Sequence, residues 1–344
     1  MTLPLYSYPG FFIFAIYILI PMIVYVFPSI FIKVVFQGSS KRTDYLKYPE
    51  NFRFNMRNFR NVRIKNAEYN YELSAWQIIC KDDETPGYVP LNKTEFERIF
   101  ANNRPILLYF HGNRGSRGAY YRVDFYHLLR KNGFHVLAVD YRGFGESDGT
   151  LETEDDALED AFLTFRYLTK IAPNSSVFVW GHSLGTGISS LLVHKLASLR
   201  LTYNVMGLFL EAPFTSIPDV LLYSRHLVLW RHMFYFNLIF RQGPIYQKLT
   251  FNNTKNLETF FAPILIMHAE EDNVVNFVMG QQLYSSLFDK KKDVFFKRFS
   301  YLLNFGHLRI TRYYNLPKLI KDFANAAQKQ NSTGLPMTFN TDDY

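Results

Sequence analysis

The run Val177-Phe178-Val179-Trp180-Gly181-His182-Ser183-Leu184-Gly185-Thr186-Gly187 constrains the fold of this chain more than any other stretch. An apolar, β-branched run leads directly into Gly-His-Ser-Leu-Gly, and residues 188–199 have a helical pattern. The stretch therefore predicts a strand, a sharp turn and a helix with Ser183 at the turn, which is the arrangement of a nucleophile elbow. Glycines suit positions 181 and 185 because the strand and helix backbones crowd each other there. The helix N-terminus also directs backbone N–H groups at charge that develops on a bound oxygen.

The N-terminal segment is the second strong feature, because residues 1–32 carry no charged side chain. The stretch 11–32 is long and apolar enough to cross a hydrocarbon core about 30 Å thick, and membrane helices tolerate prolines such as Pro21 and Pro28. We predict a membrane anchor over residues 1–37, formed by an N-terminal transmembrane helix, and a polar, basic linker over 38–60. The alternatives are a re-entrant hairpin and a cleaved signal peptide, although the basic n-region and small-residue cleavage site of a signal peptide are not evident.

The orientation of this anchor is open from the residues alone. The first charges after it are Lys33, Lys41 and Arg42, and none precede it, so the positive-inside rule favours a cytoplasmic catalytic domain. Four Asn-x-Ser/Thr sequons would instead suit a luminal domain, but their number is close to that expected by chance; they begin at Asn92, Asn174, Asn252 and Asn331.

The bulk composition excludes few classes of function. The net charge of +8 could favour an anionic membrane, but we find no cluster of Lys and Arg on one predicted helix and no nucleic-acid motif. Cys80 is the only cysteine, so no intrachain disulfide can form. We expect no metal and no cofactor, because the sequence has neither a Cys/His cluster nor a glycine-rich phosphate loop.

Alternating apolar and polar residues in 52–80 predict antiparallel strands that open a sheet. From Pro105 onward, short apolar strands alternate with helices, which predicts an α/β domain with a mainly parallel sheet and helices on both faces. We place this domain at residues 61–327 and a flexible tail at 328–344. An apolar segment, residues 214–261, is too long for a plain crossover and predicts a helical cap that either packs on the core or lines an acyl-chain tunnel. The predicted strands cover residues 106–110, 135–140, 177–180, 206–210 and 264–267.

A serine hydroxyl needs a base, and the base needs an orienting carboxylate. In a chain with this elbow the order is Ser, acid, His, with the acid just after a later strand. Asp272 follows the strand at 264–267 and is our candidate acid. The candidate base is His307, which follows Gly306 in a loop before the last predicted helix. Four other acidic residues could take the role of the acid: Glu211, Asp219, Glu270 and Glu271. Three other histidines fit the role of the base less well, because they lie in the cap or before the acid: His226, His232 and His268.

The oxyanion hole needs two N–H donors. One is the residue after the nucleophile, Leu184, and the other lies in the loop after the first buried strand, where we favour Asn113 over Arg114. His111 precedes Ser183 and is expected to support that loop. The spacing of His135 and Asp140 matches a pattern that some acyltransferases use, but both residues flank a buried strand and we interpret the spacing as accidental.

Several motifs occur in an order that resembles the α/β-hydrolase domain-containing protein 12 group, the lysophosphatidylserine and monoacylglycerol lipases. The resemblance covers residues 100–325 and is weakest in the cap. It implies an α/β-hydrolase fold, Ser183, Asp272 and His307 as a triad, and an integral membrane enzyme of the endoplasmic reticulum with a luminal active site. The motifs are His111-Gly112-Asn113, Asp140-Tyr141-Arg142-Gly143-Phe144-Gly145-Glu146-Ser147, Trp180-Gly181-His182-Ser183-Leu184-Gly185-Thr186-Gly187, Glu211-Ala212-Pro213-Phe214-Thr215 and His268-Ala269-Glu270-Glu271-Asp272.

Three functions are compatible with these features. The first is a membrane-anchored serine lipase that cleaves acyl esters of lysophospholipids or monoacylglycerols, with a lipid substrate and a membrane as its partners. The second is an acyl-protein or acyl-CoA thioesterase with the same triad. The third is a non-enzymatic scaffold, which the intact candidates for every triad role disfavour.

Overall fold

The structure, a computed structural model, describes residues 7–38, 44–47, 59–84, 91–201, 205–224, 230–243, 247–290 and 293–344. Its strands in chain order are β1 (Gln37–Gly38), β2 (Phe59–Asn66), β3 (Tyr71–Ile78), β4 (Ile106–Phe110), β5 (Arg114–Gly115), β6 (His135–Asp140), β7 (Val177–His182), β8 (Val205–Glu211), β9 (Ile264–Ala269) and β10 (Val294–Phe299).

The α-helices are α1 (Ser7–Phe14), α2 (Ile20–Val26), α3 (Pro28–Val35), α4 (Asp44–Lys47), α5 (Lys93–Phe100), α6 (Tyr120–Lys131), α7 (Glu154–Ile171), α8 (Leu184–Ser198), α9 (Ile217–Tyr223), α10 (Phe236–Phe240), α11 (Asn253–Leu257), α12 (Phe277–Phe288) and α13 (Leu316–Thr333). A π-helical stretch, Ala15–Leu19, joins α1 to α2, and short 3₁₀ turns occupy Lys81–Asp83, Tyr301–Leu303, Ile310–Arg312 and Thr341–Asp343.

Eight strands form one sheet in the order β10-β9-β8-β7-β4-β6-β3-β2. The pairs from β10 to β6 are parallel, whereas β3 pairs antiparallel with both β6 and β2. The mainly parallel sheet with an antiparallel opening that the sequence predicts is therefore confirmed. Strand β10 lies at the edge of the sheet and was not predicted, because Lys297 and Arg298 interrupt its apolar pattern.

Both faces of the sheet are covered, as the apolar strands predict. On β4, Ile106, Leu108 and Phe110 face one apolar core, and Leu107 and Tyr109 face the other. Side chains of α7, α8 and α12 fill the first core, and those of α6 and α13 fill the second. Because parallel strands end at the same edge of the sheet, this arrangement brings the loops after β4, β7, β8 and β9 together.

The apolar N-terminal stretch is divided into several helical pieces. The backbone is right-handed helical at the junctions Phe14 and Ile20, and it breaks at Phe27, whose φ of −119° and ψ of 69° avoid the helical region. Phe27 precedes Pro28, and a residue before proline is disfavoured in helical geometry. In the part of the chain that the structure describes, we find no individual helix with both the length and the apolar character needed to cross a bilayer.

Pro21 explains the π-helical stretch and how the cap meets it. Proline has no N–H, so carbonyl oxygens one turn earlier lose their partner in the helix. Two side chains of the cap supply donors instead: Trp230 Nε1 donates to the carbonyl of Ile16 at 3.0 Å, and the Tyr235 hydroxyl donates to the carbonyl of Tyr17. The N-terminal helices are therefore joined to the cap by specific hydrogen bonds.

The linker predicted at 38–60 lies only partly within the described residues. Strand β1 pairs in parallel with β5, and Leu46 in α4 is buried and accepts a hydrogen bond from Trp76 Nε1 at 2.9 Å. Strand β2 begins at Phe59. These parts of the segment pack on the domain, which differs from a free linker.

The cap predicted at 214–261 consists of short helices in the residues described. In the apolar run 233–240 only α10 is helical, and Phe234 and Leu238 are exposed. Phe236 and Ile239 are buried against Val24 and Phe31 of the N-terminal helices. The remainder of the predicted cap, 225–229 and 244–246, lies outside the described residues.

The C-terminus differs from the flexible tail expected at 328–344. Helix α13 continues to Thr333, and Gly334 ends it in the left-handed conformation with φ of +68°. Phe339 then packs on Phe295 of β10, with ring centroids 5.1 Å apart. Thr341 also donates to the carbonyl of Phe296 at 3.1 Å. The tail covers the edge strand, a contact that its polar composition did not indicate.

Candidate active site

Ser183 lies between β7 and α8 in strained backbone geometry. Its φ of +53° and ψ of −118° are unusual for a residue with a Cβ atom. Its N–H donates to the carbonyl of Glu211 at 2.9 Å, and its own carbonyl accepts from the N–H and hydroxyl of Thr186. The predicted strand, turn and helix are confirmed, and these bonds hold the strained turn in place.

The two glycines of the elbow have the predicted role. A Cβ atom on Gly181 would lie 2.6 Å from the carbonyl carbon of Gly185. A Cβ atom on Gly185 would lie 2.6 Å from the carbonyl carbon of Phe110 in β4. Both contacts are too short for any side chain, so the elbow requires glycine at these positions.

Asp272 and His307 are brought together at the same edge of the sheet. His307 Nδ1 lies 2.7 Å from Asp272 Oδ2. The other oxygen of Asp272 accepts the N–H groups of Val274 and Val275 at 2.8 and 2.9 Å. Burial alone would raise the pKa of Asp272, but hydrogen bonds from His268 and His307 outweigh burial and hold this pKa well below its usual range. The carboxyl is therefore ionised at neutral pH and fixes the ring of His307.

The rival acids of the same turn hold the His307 loop by its backbone. Glu270 accepts the N–H of Tyr301 at 2.7 Å, and Glu271 accepts the N–H of Gly306 at 2.8 Å. Consecutive carboxylates therefore fix three points of one loop, of which only Asp272 contacts the His307 ring. We call the backbone contacts of Glu270 and Glu271 the clamp of the His307 loop. The sequence did not predict the clamp, because spacing does not show which of three adjacent acids reaches the histidine.

The other two rival acids have separate partners. Glu211 accepts from Trp180 Nε1 at 3.0 Å, and Asp219 accepts from the hydroxyl of Ser216 at 2.7 Å. Burial raises the pKa of Glu211 to about 7, although the hydrogen bond from Trp180 opposes this shift. Neither carboxylate contacts His307.

His182 is a residue of the site that sequence reasoning did not single out. Its Nε2 lies 2.9 Å from the carbonyl oxygen of His307, and its pKa is lowered to about 3 by burial and by the neighbouring His307. A neutral His182 therefore donates from Nε2 and ties the His307 backbone to the residue before Ser183. The only signal for it was its place directly before the nucleophile.

The candidate oxyanion donors come from two elements. Leu184 is the first residue of α8, and Asn113 stands between β4 and β5 at the wall of the cavity. The buried guanidinium of Arg122 holds the following backbone by donating to the carbonyls of Ser116 and Arg114 at 2.5 and 2.8 Å. The pairing of β5 with β1 adds a second support to this loop.

The remaining candidates support the fold. His111 is buried with Nδ1 2.7 Å from the carbonyl of Gly112, and its Nε2 lies 3.3 Å from Asp140. It therefore supports the oxyanion loop, as expected. His135 accepts the N–H of Cys80 at 2.9 Å, whereas Asp140 forms an ion pair with the buried Arg117. The spacing of His135 and Asp140 is thus accidental, since the two residues hold different elements.

A cavity of about 780 Å³ opens over these residues. Ser183, Asp272 and His307 all line it, together with Asn113. Its wall also includes Tyr121, Arg122, His182, Tyr223, Val274, Phe305, Leu308 and Arg309. A volume of this size accommodates a small lipid or a drug-sized ligand.

Comparison with known proteins gives a consistent picture. A family model described as serine aminopeptidase, S33, matches residues 101–253. The chain is 31% identical over 326 residues to lysophosphatidylserine lipase ABHD12 of Danio rerio, which covers 90% of this chain and 81% of that protein. It is also 31% identical over 332 residues to the same lipase of Xenopus tropicalis, covering 93% of this chain and 82% of that protein.

Among solved structures, the chain resembles an α/β hydrolase from Vibrio vulnificus with a TM-score of 0.60. The sequence identity is 19%, and the match covers 90% of this chain and 93% of the other. At this identity the likeness shows the fold, which is the predicted α/β-hydrolase fold.

Proposed function

The chain belongs to the family of the ABHD12 lysophosphatidylserine lipases, and from this premise we propose that it releases fatty acid from lysophospholipids of the lysophosphatidylserine type, and from monoacylglycerols, at a membrane. It is a serine hydrolase of the lipase and esterase class. The observation that carries the proposal is the 2.7 Å contact between Asp272 and His307 in the cavity that Ser183 also lines.

In the proposed reaction the Ser183 hydroxyl attacks the acyl carbonyl carbon. His307 Nε2 takes the hydroxyl proton as the bond forms, and Asp272 stabilises the resulting imidazolium through Nδ1. The tetrahedral intermediate collapses, and His307 gives its proton to the leaving glycerol oxygen. Water then attacks the acyl-enzyme with His307 again as the base, which releases the fatty acid and restores Ser183.

The N–H groups of Leu184 and Asn113 are proposed to bind the oxyanion of each tetrahedral intermediate. Leu184 supplies an N–H at the positive end of α8, where a developing negative charge is stabilised. Loss of one such donor typically lowers kcat by about 10²–10³. His182 contributes indirectly, since it fixes the His307 backbone beside the nucleophile.

We also propose that residues 1–37 anchor the enzyme to the membrane of the endoplasmic reticulum. The support is the apolar surface of this segment: Phe11, Phe12 and Ile13 are each more than 60% exposed, which is unfavourable in water. The family favours a luminal catalytic domain. Enzymatic deglycosylation of the protein from a eukaryotic host tests this orientation, because only luminal sequons such as Asn92 and Asn174 gain glycans.

Fluorophosphonate labelling tests the chemistry. The probe should label the folded wild type and should not label Ser183→Ala, while Asp272→Asn and His307→Gln should label slowly because the nucleophile is no longer activated. Absence of labelling in the folded wild type would exclude a serine hydrolase mechanism.

A substrate panel separates the lipase from the thioesterase alternative. Purified full-length protein should release fatty acid from lysophosphatidylserine and monoacylglycerol faster than it cleaves acyl-CoA thioesters. Turnover of thioesters without turnover of either lipid would refute the proposed substrate class and leave the triad chemistry intact.

A further inference from the structure

The loop that carries His307 also exposes a set of apolar side chains. We name this set the His307 lip; its members, with their exposed fractions, are Tyr301 (69%), Leu302 (89%), Leu303 (43%), Leu308 (41%) and Tyr314 (85%). Leu308 lines the catalytic cavity as well. Single exposed apolar residues are ordinary, but a group of them beside a cavity marks an interaction surface.

The lip is held rigidly, so its exposure does not follow from a loose loop. The clamp from Glu270 and Glu271 fixes its backbone at Tyr301 and Gly306. Beneath it, the rings of Phe305 and Tyr313 pack on Phe299, with centroids 5.7 and 5.1 Å away. Phe305 and Tyr313 therefore already anchor the loop to the domain, and the exposed lip residues are not needed for this packing.

The charge around the lip selects the kind of partner. Arg309 and Arg312 are exposed on the same loop. Arg309 donates only weakly, to the carbonyl of Phe305 at 3.4 Å and to Asn304 Oδ1 at 3.5 Å. Within the described residues, neither arginine forms an ion pair with a carboxylate. Leucine, tyrosine and unpaired arginine together are the composition of a surface that enters the headgroup region of an anionic bilayer.

The cavity also borders the helix that contacts the apolar N-terminal segment. Leu221 and Leu222 of α9 pack in one cluster with Val24 and Phe31. The next residue, Tyr223, lines the catalytic cavity. One short helix therefore separates the proposed membrane anchor from the site.

We propose that the His307 lip docks on the surface of a bilayer that contains anionic lipids and thereby holds the mouth of the cavity against the membrane. A lysolipid then passes from the bilayer to Ser183 without crossing water. This inference rests on the proposed function, because it assigns the route by which a lipid substrate reaches the site.

A fluorescent probe tests the docking directly. Cys80 is fully buried, and burial raises the pKa of its thiol, so Leu302→Cys in the full-length protein accepts a thiol-reactive, polarity-sensitive dye at one position. The matched control is Leu199→Cys just after the far end of α8, about 24 Å from Ser183 at 1.5 Å per helical residue. In phosphatidylcholine vesicles with phosphatidylserine, the dye at 302 should shift to the blue and be quenched by spin-labelled lipid.

The outcomes of the probe experiment are distinct. The dye at position 199 should remain water-exposed in the same vesicles. A dye at 302 that stays as exposed as the one at 199 overturns the proposal. A dye at 302 that is already buried without vesicles also overturns it, because the lip then contacts a second copy of the chain.

Activity gives a second readout. Leu302→Asp should lower the hydrolysis of a long-chain 4-nitrophenyl ester in vesicles about tenfold, because a carboxylate at this position no longer enters the apolar part of the bilayer. Hydrolysis of soluble 4-nitrophenyl acetate should stay within about twofold of wild type, because Leu302 does not line the cavity. Leu199→Asp is the control and should change neither rate. Equal losses on both substrates, or none, contradict docking.

The role of the arginines is tested with Arg312→Gln. Its control is Arg98→Gln, which removes an exposed arginine of α5. Stimulation of ester hydrolysis by phosphatidylserine should fall in Arg312→Gln and persist in Arg98→Gln. Unchanged stimulation in Arg312→Gln overturns the role of charge in docking.

Because the reporter ester is not a lysolipid, these results stand apart from the proposed function. A wild type that cleaves the reporter but no lysophospholipid refutes the substrate class, whereas lip variants that behave as wild type refute docking.

Discussion

At the scale of single residues, the His307 loop depends on one carboxylate that takes no part in the proton transfer. Glu271 accepts the N–H of Gly306, the residue before the proposed base. We expect Glu271→Ala to lower kcat about tenfold with little change in KM, because a hydrogen bond of this kind contributes about 0.5–1.5 kcal/mol. Glu271→Gln keeps an acceptor oxygen and should remain near wild type. Steady-state kinetics on soluble 4-nitrophenyl acetate measure both, and equal losses in the two variants would contradict the clamp.

Glu211 makes a prediction about pH. Its pKa, raised by burial to about 7, means that the folded protein binds this proton more tightly than the unfolded chain, whose glutamic acid has a pKa of about 4.3. The contribution of Glu211 to stability is therefore complete below the unfolded pKa of about 4.3, and it is lost as the pH rises through the folded pKa of about 7. Between pH 5 and pH 8 the wild type should lose on the order of 3 kcal/mol of unfolding free energy relative to Glu211→Gln.

Urea unfolding of both proteins at the two pH values measures this difference. The glutamine side chain can still accept from Trp180, so the comparison isolates the ionisation of the carboxyl group. Parallel pH dependences for wild type and variant would show that Glu211 is not buried as an acid.

At the scale of single residues, the sequence indicated the candidate catalytic side chains better than the residues that hold them in place. The sequence predicted that Asp272 and His307 meet at the edge of the sheet that carries Ser183, because their positions after strands follow from local patterns. His182 and Glu271 act through backbone atoms of residues 125 and 35 positions away in the chain. Side-chain identity alone does not indicate such contacts.

At the scale of elements, the junction of β4, β7 and α8 has no room for a side chain at Gly185. We expect Gly185→Ala to destabilise the protein by several kcal/mol or to prevent folding, because its Cβ would overlap the carbonyl of Phe110. Gly10→Ala is the matched control, since nothing lies within 4 Å of its added Cβ. Thermal unfolding monitored by circular dichroism compares the two, and similar melting temperatures would contradict the predicted crowding.

The junction between the N-terminal helices and the cap gives a second prediction at this scale. Trp230→Phe and Tyr235→Phe each remove a donor to the carbonyls that Pro21 leaves free. Each should weaken the contact by about 0.5–1.5 kcal/mol and speed amide hydrogen exchange in α10 several-fold. Tyr69→Phe is the control, because it removes the hydroxyl of a 61% exposed side chain between β2 and β3 and should leave exchange in α10 unchanged. Unchanged exchange in both test variants would show that these two hydrogen bonds do not stabilise the contact between the cap and the N-terminal helices.

The elements that the sequence did not predict are those fixed by distant contacts. Strand β10 contains Lys297 and Arg298 and is a strand because it pairs with β9. The run 233–240 is apolar, yet only Phe236–Phe240 is helical, and its buried residues Phe236 and Ile239 pack on the N-terminal helices. In both cases the pattern depends on a partner that lies elsewhere in the chain.

For the whole molecule, one sheet organises both chemistry and access. The ends of β7 and β9 carry Ser183 and Asp272, and the loop after β10 carries His307 and the lip. The N-terminal apolar helices meet the cap through Trp230 and Tyr235, and α9 connects this contact to the cavity. The molecule therefore combines a hydrolase site with apolar surface at its entrance, as expected of an enzyme that takes its substrate from a bilayer.

The most direct test of this account is fatty-acid release from lysophosphatidylserine in vesicles by the full-length protein and by Ser183→Ala. We predict steady release by the wild type and a loss of at least about 10³-fold in the variant, with unchanged circular dichroism, because Ser183 is the proposed nucleophile. Equal rates for the two proteins, or a folded wild type that releases no fatty acid from this lipid, would contradict it.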